Sequence, residues 1–332
     1  MIENFKLRVF RVVADSMSFR RAADELHLTQ PAITAQIKSL EESLGIALFD
    51  RIGRDVGLTP AGKTLLEYVR KIETISNDAL AALAPFGGQQ GIELAIGASH
   101  TIAVYLLPRL LAHLIDEWPK LRIHVTSGST NEVLHALTSH QISVGLIEAP
   151  AFRPDLKIET FGEDELTLIV HPAHRWAKKS VLRAAELVQE PILLREVGSG
   201  MRRFVEEYLE QNGVLRQQLR TSIDMTSTEG IIAAVEAGLG VGFVPCLALE
   251  KPLKVGSVKS LPLENGPIVR RLSSALLNGP EPKGPVGQLL QLLRQEHPAT
   301  VTTSGSLVKR AQPKAQIVTS NGKSTKHKGA VS

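Results

Sequence analysis

The sequence has a single cysteine, Cys246, and aromatic residues make up only 4% of its 332 residues. One cysteine cannot form an internal disulfide, which excludes a disulfide-stabilised scaffold and any need for an oxidising compartment. The beginning of the chain carries charged side chains, among them Lys6, Arg8 and Arg11, where a signal peptide would need an apolar run. We therefore expect a cytoplasmic protein.

The sequence also lacks an unbroken apolar run long enough to cross a membrane. The longest candidate, residues 230–249, contains Glu236 and is interrupted by Gly238, Gly240, Gly242 and Pro245. These interruptions predict a short helix, a turn and a strand in place of a membrane-spanning helix. We expect no membrane partner.

Acidic residues are absent from the end of the chain, since residues 299–332 contain six Lys and Arg and no Asp or Glu. The net charge of +4 and the pI near 9.1 come from this segment, because residues 1–75 carry +1 and residues 76–298 carry −3. Its low hydrophobicity predicts a disordered basic tail. A solvated tail is the simpler interpretation, and weak nonspecific attraction to polyanions is the alternative.

The apolar fraction of 43% and the charged fraction of 22% are typical of a globular protein with two or three domains. Residues 1–58 contain short helical segments, 59–85 predict one long helix, and 86–91 (FGGQQG) predict a hinge. From residue 92 to 298, short β-rich runs alternate with helical stretches. This alternation predicts an α/β domain with a mostly parallel sheet.

Residues 18–45 form the most informative segment of the chain. Ser18 is a predicted N-cap for a helix that buries Ala22 and Ala23, and Thr29 caps a second helix with Pro31 in its first turn. A turn of only a few residues joins the two helices, which predicts a helix-turn-helix. The apolar stripe of the second helix recurs every three or four residues, at Ile33, Ile37, Leu40 and Leu44.

Burial of that stripe leaves Gln30, Pro31, Thr34 and Lys38 on the outer face of the second helix. A glutamine can bind adenine with two hydrogen bonds, a threonine methyl can contact thymine, and a lysine can neutralise a phosphate. These side chains favour binding in a DNA major groove. A solvated helical hairpin with polar outer residues is the alternative.

Residues 45–62, GIALFDRIGRDVGLTPAG, predict a β-ribbon with Arg51 and Arg54 near its tip. The helix pair SFRRAADELHLTQPAITAQIKSLEESLG and the wing LFDRIGRDVGLTPAG resemble the LysR-type bacterial transcriptional regulators without a gap. The resemblance implies a winged helix-turn-helix that binds double-stranded DNA, with RNA polymerase as a further expected partner. The candidate DNA-binding residues are Ser18, Thr29, Gln30, Pro31, Thr34, Lys38, Arg51 and Arg54.

The long helix at 59–85 carries an apolar line that a lone exposed helix would leave in water. Packing on the second domain of the same chain is one interpretation, but the flexible 86–91 segment favours pairing with a second subunit. The resemblance likewise implies a homodimer or homotetramer on an inverted-repeat promoter site. The line consists of Leu65, Val69, Ile72, Ile75, Ala79 and Leu83.

Over residues 92–298 the resemblance is looser, and it implies the two-lobed fold of type 2 periplasmic binding proteins. We expect crossings between the lobes near 160–166 and 264–270, a lobe I of about 92–162 and 268–298, and a lobe II of about 163–267. An effector would bind between the lobes. A solute-binding protein without a transcriptional role is the alternative, although it leaves residues 1–85 unexplained.

Polar clusters follow several predicted strands, where helix starts and hydroxyls favour a small anion. Each cluster alone is more often a helix cap, and Glu148 either binds a ligand amine or hydroxyl or pairs with an arginine. His100 and Met201 depart from the hydroxyl residues usual in the similar carbon-fixation and sulfur-assimilation regulators. The candidate effector-binding residues are Ser99, His100, Thr101, Ser127, Ser129, Thr130, Glu148, Ser199, Arg202, Ser227 and Thr228.

An enzyme is not expected, because the sequence contains no G-x-S-x-G, H-E-x-x-H, P-loop or C-x-x-C motif. His171 and His174 lack an acidic or cysteine partner at metal-ligand spacing, which favours an ordinary loop. Cys246 lies in an apolar run that is typical of a buried small side chain. We expect no metal and no cofactor other than the small-molecule effector.

Overall fold

The structure is a computed structural model that describes residues 4–52, 55–83, 92–148, 151, 153–295, 299–301 and 307–309. Arg54 and the predicted hinge at 86–91 lie outside these residues. None of the helices in the described segments is long and apolar enough to span a membrane.

The amino-terminal domain is a three-helix unit with a small antiparallel ribbon. Its core includes Phe10, which contacts the Phe49 ring at a centroid distance of 5.4 Å, while Phe19 contacts the same ring at 5.6 Å. Aromatic contacts of this kind fix the ribbon against the helices. The elements are α1 (Phe5–Ser16), α2 (Phe19–Leu26), α3 (Gln30–Leu44), β1 (Phe49–Ile52) and β2 (Asp55–Leu58).

The long helix α4 (Pro60–Leu83) begins against the ribbon. The Thr59 hydroxyl accepts a hydrogen bond from the Gly62 N–H at 2.9 Å and donates one to the Ala47 carbonyl at 2.8 Å. Ion pairs join α1 to α4, since Arg70 contacts Asp15 at 2.7 Å and Arg11 contacts Glu73. The first half of α4 is therefore attached to the helix-turn-helix domain.

The apolar line of α4 divides in two. Leu65 and Val69 pack into the core of the amino-terminal domain, whereas Ile72 and Ile75 are exposed. The predicted apolar line is therefore divided: its first two members belong to the amino-terminal core, because α1 packs against this part of the helix.

The second domain is built on one continuous sheet flanked by helices. The strand order is β4-β3-β5-β11-β6-β9-β7-β8, with β10 paired to β6. A π-helical turn at Ile102–Leu106 precedes α5. The elements are β3 (Glu93–Ser99), α5 (Leu107–Glu117), β4 (Arg122–Gly128), α6 (Thr130–Thr138), β5 (Val144–Ile147), β6 (Leu156–Val170), β7 (Pro191–Arg195), α7 (Gly200–Gln211), β8 (Arg220–Met225), α8 (Thr228–Glu236), β9 (Val241–Pro245), α9 (Glu250–Val255), β10 (Lys259–Leu261), β11 (Ile268–Leu277) and α10 (Gly284–Gln295).

Two long antiparallel strands, β6 and β11, cross from one lobe to the other. Their register shifts between Leu272 and Ser273, where β6 passes from Gly162 to Thr160. On one side of this bulge β11 pairs with β5, and on the other side β6 pairs with β9. Separate hydrophobic cores form on the two sides, with Leu94 and Leu114 in lobe I and Leu193 and Val235 in lobe II.

Six residues of the predicted disordered tail form a short antiparallel pair, β12 (Ala299–Val301) with β13 (Leu307–Lys309). The structure therefore differs from the expectation of disorder throughout 299–332. The runs Thr300-Val301 and Leu307-Val308 have high β-propensity, which the average composition of the tail conceals. The remaining tail residues lie outside the described segments.

Candidate functional site

The two predicted N-caps of the helix-turn-helix are present. The Ser18 hydroxyl accepts a hydrogen bond from the Arg21 N–H at 3.3 Å, and the Thr29 hydroxyl accepts one from the Ala32 N–H at 3.4 Å. Each hydroxyl is therefore engaged in starting a helix. Ser18 and Thr29 position α2 and α3, and their role toward DNA stays a prediction.

The outer face of α3 carries the predicted residues Gln30, Pro31, Thr34 and Lys38, all of them exposed. The Thr34 hydroxyl donates to the Gln30 carbonyl at 3.0 Å, which leaves its methyl group for apolar contacts. Lys38 lies 3.7 Å from Glu42 in an exposed ion pair that contributes little stability. The face thus presents an amide, a methyl and an ammonium group in a row.

Ala35 is exposed on the same face, between Pro31 and Lys38. It is not among the predicted residues, although its spacing of four residues from Pro31 places both on one side of a helix. A small apolar side chain at this position suits contact with a thymine methyl group.

The ribbon is fixed to α3 by a carboxylate. Glu41 Oε1 accepts hydrogen bonds from the Leu48 N–H at 2.7 Å and the Phe49 N–H at 3.2 Å. Arg51 lies in β1 opposite Val56, and Arg54 belongs to the tip that lies outside the described residues. The base of the wing therefore has a defined position relative to the outer face of α3.

A cleft of about 620 Å³ lies between the two lobes, at the carboxyl ends of β3, β4, β5 and β7. This is the edge at which open α/β sheets bind ligands. The sequence-predicted residues that line it are Ser99, His100, Thr101, Ser129, Thr130, Glu148 and Ser199.

Four predicted effector residues lie outside the cleft lining. Arg202 is 3% exposed and its guanidinium binds Glu206 and Asp224, at 2.8 and 2.9 Å. Ser227 caps α8 by accepting from the Gly230 N–H at 2.9 Å. Thr228 is buried, and Ser127 is exposed on β4.

The prediction that Arg202 lies in the effector cleft is therefore wrong. In sequence it follows the Gly-Ser-Gly turn, but its side chain lies on the inner side of α7, where Asp224 on β8 neutralises it. The cleft instead receives Arg195, the last residue of β7, which is buried and lines the cavity. Its position at a strand end next to the turn was the signal in the sequence that could have identified it.

Arg195 forms a two-pronged ion pair with Glu196, from Nε at 2.8 Å and from Nη2 at 2.9 Å. Its Nη1 takes no part in this ion pair. Beside it Ser199 precedes α7 without making a side-chain capping bond. The lobe II wall thus offers a guanidinium nitrogen, a hydroxyl and the N–H groups of a helix start.

The α6 start on the lobe I side is already occupied. Ser129 and Glu132 form a reciprocal cap, in which Glu132 Oε2 accepts from the Ser129 N–H at 2.7 Å. This bond lowers the pKa of Glu132, with the nearby His100 acting in the same direction. An anion would meet the Glu132 carboxylate at this end of the cleft.

A buried ionic cluster lies beneath the cleft, around Arg270 on β11. The Arg270 guanidinium, 1% exposed, donates to Asp164 at 2.6 and 3.0 Å, to the Thr101 hydroxyl at 3.2 Å, and to Glu148 Oε2. Burial acts to lower the pKa of Arg270, but Glu148 and Asp164 raise it above its ordinary value. The cluster joins both crossing strands to the cleft.

The lobes also touch through a tyrosine. Tyr105, from lobe I, packs on the lobe II core and its hydroxyl donates to Glu229 of α8 at 2.7 Å. Burial, followed by the Glu229 contact, raises the pKa of Tyr105. The relative placement of the lobes is therefore held by a specific hydrogen bond as well as by the two strands.

His171 and His174, the two candidate metal ligands, make hydrogen bonds within their own loop. His171 Nδ1 accepts from the Ala173 N–H and His174 Nδ1 from the Trp176 N–H, each at 3.1 Å. These bonds shape the loop. Among the described residues, no group of three His, Cys, Asp or Glu is placed to hold a metal ion.

Two family models match the chain. The model described as a bacterial regulatory helix-turn-helix protein of the lysR family matches residues 5–63, and the LysR substrate binding domain matches residues 87–298. The first corresponds to the helix-turn-helix and wing, and the second to the two lobes and their cleft.

Named relatives match most of the chain. A protein of Cyanophora paradoxa named "Probable RuBisCO transcriptional regulator" is 35% identical over 271 residues, which is 81% of this chain and 84% of the relative. A Synechocystis protein with the same name is 33% identical over 276 residues, covering 82% of this chain and 80% of the relative. Both names describe regulators of transcription and not enzymes.

Solved structures share the fold at lower identity. Full-length CbnR complexed with its target DNA has a TM-score of 0.62 and 23% identity, covering 89% of this chain and 99% of CbnR. The Synechocystis CcmR regulatory domain in complex with 2-PG has a TM-score of 0.55 and 24% identity, covering 61% of this chain and 95% of that domain.

Proposed function

Because the chain belongs to the LysR family and is a transcriptional regulator with an effector-binding domain, we propose that α3 reads a promoter major groove and that a small anion in the cleft controls this binding. The proposal for DNA binding rests on the exposed outer face of α3, which carries Gln30, Pro31, Thr34 and Lys38. The second part rests on the polar wall of lobe II.

In the proposed complex, α3 lies in the groove and the wing lies along the backbone. Gln30 pairs with an adenine edge, the Thr34 methyl contacts a thymine methyl, and Lys38 neutralises a phosphate. Arg51 and Arg54 contact phosphates from the wing. Base contacts give sequence preference, whereas phosphate contacts give affinity for any duplex.

The anion is held at the lobe II wall by Arg195 Nη1, the Ser199 hydroxyl and the first N–H groups of α7. Helix starts attract anions because their N–H groups lack partners and the helix dipole is positive there. An independent observation supports a ligand at this site: Ser99, 5% exposed, lines the same cleft and its hydroxyl has no hydrogen-bond partner among the described residues. The neighbour CcmR has 2-PG bound in its regulatory domain.

Two tests address these parts separately. Footprinting of the full-length protein on DNA fragments upstream of its own gene and of neighbouring genes should give a protected inverted repeat. Uniform weak protection would contradict sequence-specific binding.

Titration with inorganic phosphate and phosphorylated three-carbon compounds should raise the melting temperature of the protein. The Ser199→Ala variant should bind these anions several-fold more weakly, whereas Ser227→Ala, which removes a hydroxyl outside the cleft, should bind them as the wild type does.

Oligomerisation is proposed through α4. Tyr68, Ile72, Ile75 and Leu83 are large apolar side chains exposed on one helix. A second copy of the helix would remove them from water, and twofold pairing would place two α3 helices on an inverted repeat. Dimers of this kind could assemble further into tetramers.

The names of the relatives suggest target genes. Both are named as probable RuBisCO transcriptional regulators. We therefore propose that this chain acts on carbon-fixation genes, and that the RuBisCO promoter of its source genome competes best in the footprinting test. The solute-binding alternative is not favoured, because residues 5–63 match the regulatory helix-turn-helix.

A further inference from the structure

Glu148 presents two different oxygens. Oε2 accepts a hydrogen bond from Arg270, whereas Oε1 is buried and has no hydrogen-bond partner among the described residues. The side chain is 13% exposed and lines the cleft between the lobes. A buried acceptor without a donor costs free energy, so this oxygen favours any ligand that supplies one.

The carboxylate has little freedom to turn away. Arg270 is anchored by Asp164 through two hydrogen bonds, at 2.6 and 3.0 Å, and by Thr101 at 3.2 Å. A guanidinium cannot be deprotonated in proteins and donates only. Glu148 therefore keeps Oε2 on Arg270, which leaves Oε1 as the oxygen without a donor.

The neighbouring strand end carries a second group of the same kind. Ser99 ends β3, which pairs in parallel with β5 through Ala98 and Leu146, and Glu148 directly follows β5. Both Ser99 Oγ and Glu148 Oε1 are buried without a partner in the described part of the chain. Lobe I therefore contributes an acceptor-only carboxylate next to a hydroxyl, opposite the guanidinium and helix start of lobe II.

We infer that Glu148 selects an effector that carries a hydrogen-bond donor, a hydroxyl or an amine, on the same small skeleton as its anionic group. The inference rests on the proposed anion-sensing function and names the ligand class of that site. The anionic end lies at Arg195 and Ser199, and the donor end binds Glu148 Oε1. A simple oxyanion, or a phosphate ester without hydroxyl or amine groups, fills only half of the site.

A matched pair of compounds tests the inference. Glycerol 3-phosphate and propyl phosphate share a phosphate ester on three carbons and differ in two hydroxyl groups. Calorimetric titration of the full-length protein should give at least about tenfold tighter binding for glycerol 3-phosphate. Propyl phosphate leaves the buried acceptor without a donor, which lowers the binding affinity by about this factor. Equal affinities would overturn the inference and leave the anion proposal standing. If neither compound binds, both are overturned.

Two variants assign the effect to one residue. Glu148→Gln keeps an oxygen for Arg270 and replaces the remaining acceptor by an amide N–H₂ group, so the affinity ratio should fall below about threefold. It should bind propyl phosphate at least as tightly as the wild type, which also verifies its fold. Glu250→Gln removes the same charge from an exposed position on α9 and should keep the wild-type ratio. An unchanged ratio in Glu148→Gln would overturn the assignment.

Discussion

Gly62 lies in the first turn of α4, where the helix passes the backbone of the wing. A Cβ added there would lie 2.1 Å from the Leu48 carbonyl oxygen, which no side-chain movement can relieve. We predict that Gly62→Ala lowers the free energy of unfolding by about 1–3 kcal/mol, as overpacking does. Chemical denaturation measures it, with Gly200→Ala in the first turn of α7, where a Cβ meets open space, as the control. Equal effects of the two would contradict this account.

Thr34 tests the reading surface. Thr34→Ala removes the methyl group proposed to meet thymine, and it should reduce discrimination between operator and scrambled DNA by about 1–3 kcal/mol. Arg51→Ala should weaken binding to both DNAs alike, because a phosphate contact carries no sequence information. Competition gel shifts measure both effects, with Ser43→Ala at the far end of α3 as the control. Unchanged discrimination in Thr34→Ala would show that the recognition face is misassigned.

At the residue scale, sequence reasoning succeeded where the rule is local. The caps Ser18 and Thr29 each depend on a contact three residues away, and both are present. It failed for Arg202, whose direction depends on Asp224, twenty-two residues along the chain on another strand. The same limit hid the buried Arg270 cluster, because only the folded sheet brings Arg270 to Asp164 and Glu148.

At the scale of elements, the contact between α4 and lobe I involves a histidine. His140 follows α6 with a left-handed φ of 55°, and its Nδ1 is buried without a partner among the described residues. Burial lowers its pKa, Lys71 and Arg70 on α4 lower it further, and Glu67 opposes them. Protonation of His140 is therefore disfavoured in the folded protein.

This contact predicts an acid-side loss of stability. The unfolded chain, with a histidine pKa near 6.5, binds more protons than the folded one, so the unfolding free energy is fully retained above pH 6.5 and falls below it. His140→Asn, which tolerates the left-handed conformation, should flatten this fall between pH 7.5 and 5.5. Denaturation midpoints across this range measure it, with the exposed His124→Asn as the control. Parallel curves for wild type and His140→Asn would refute the prediction.

Element boundaries show which patterns the sequence could reveal. The predicted helix at 59–85 is α4 (Pro60–Leu83), since Thr59 and Pro60 mark its start locally. The crossing predicted near 160–166 lies within one strand, β6 (Leu156–Val170), paired along its length with β11. The hydrophilic run at residues 162–165 suggests a break in the strand when only the sequence is considered, but pairing with β11 keeps it extended.

At the scale of the whole molecule, the resemblance to LysR-type regulators and the two-lobed α/β fold are confirmed by the family matches and the related structures. Two sets of contacts beside the cleft connect the lobes, namely the Arg270 cluster and the Tyr105–Glu229 hydrogen bond. An effector can shift the equilibrium between two arrangements of the lobes only by the difference between its binding free energies for them. Contacts with both lobes, as proposed for Arg195 and Glu148, supply such a difference.

The proposed dimer depends on the exposed part of α4. Ile75, 68% exposed, should lie in the interface, so Ile75→Glu should place a charge there and convert the dimer to monomers while the unfolding free energy of the monomer is retained. Val255→Glu, at an exposed apolar residue on α9, should leave the dimer intact. Sedimentation velocity distinguishes the dimer from the monomer in each variant. A dimer that persists in Ile75→Glu would exclude this face as the interface.

The most direct measurement is competition binding of the full-length protein to promoter DNA, repeated after removal of residues 299–332 so that the basic tail cannot contribute. We predict that the truncated protein prefers an inverted-repeat promoter site over scrambled duplex, and that Thr34→Ala loses this preference. Equal binding of the truncated wild-type protein to promoter and scrambled DNA would contradict it.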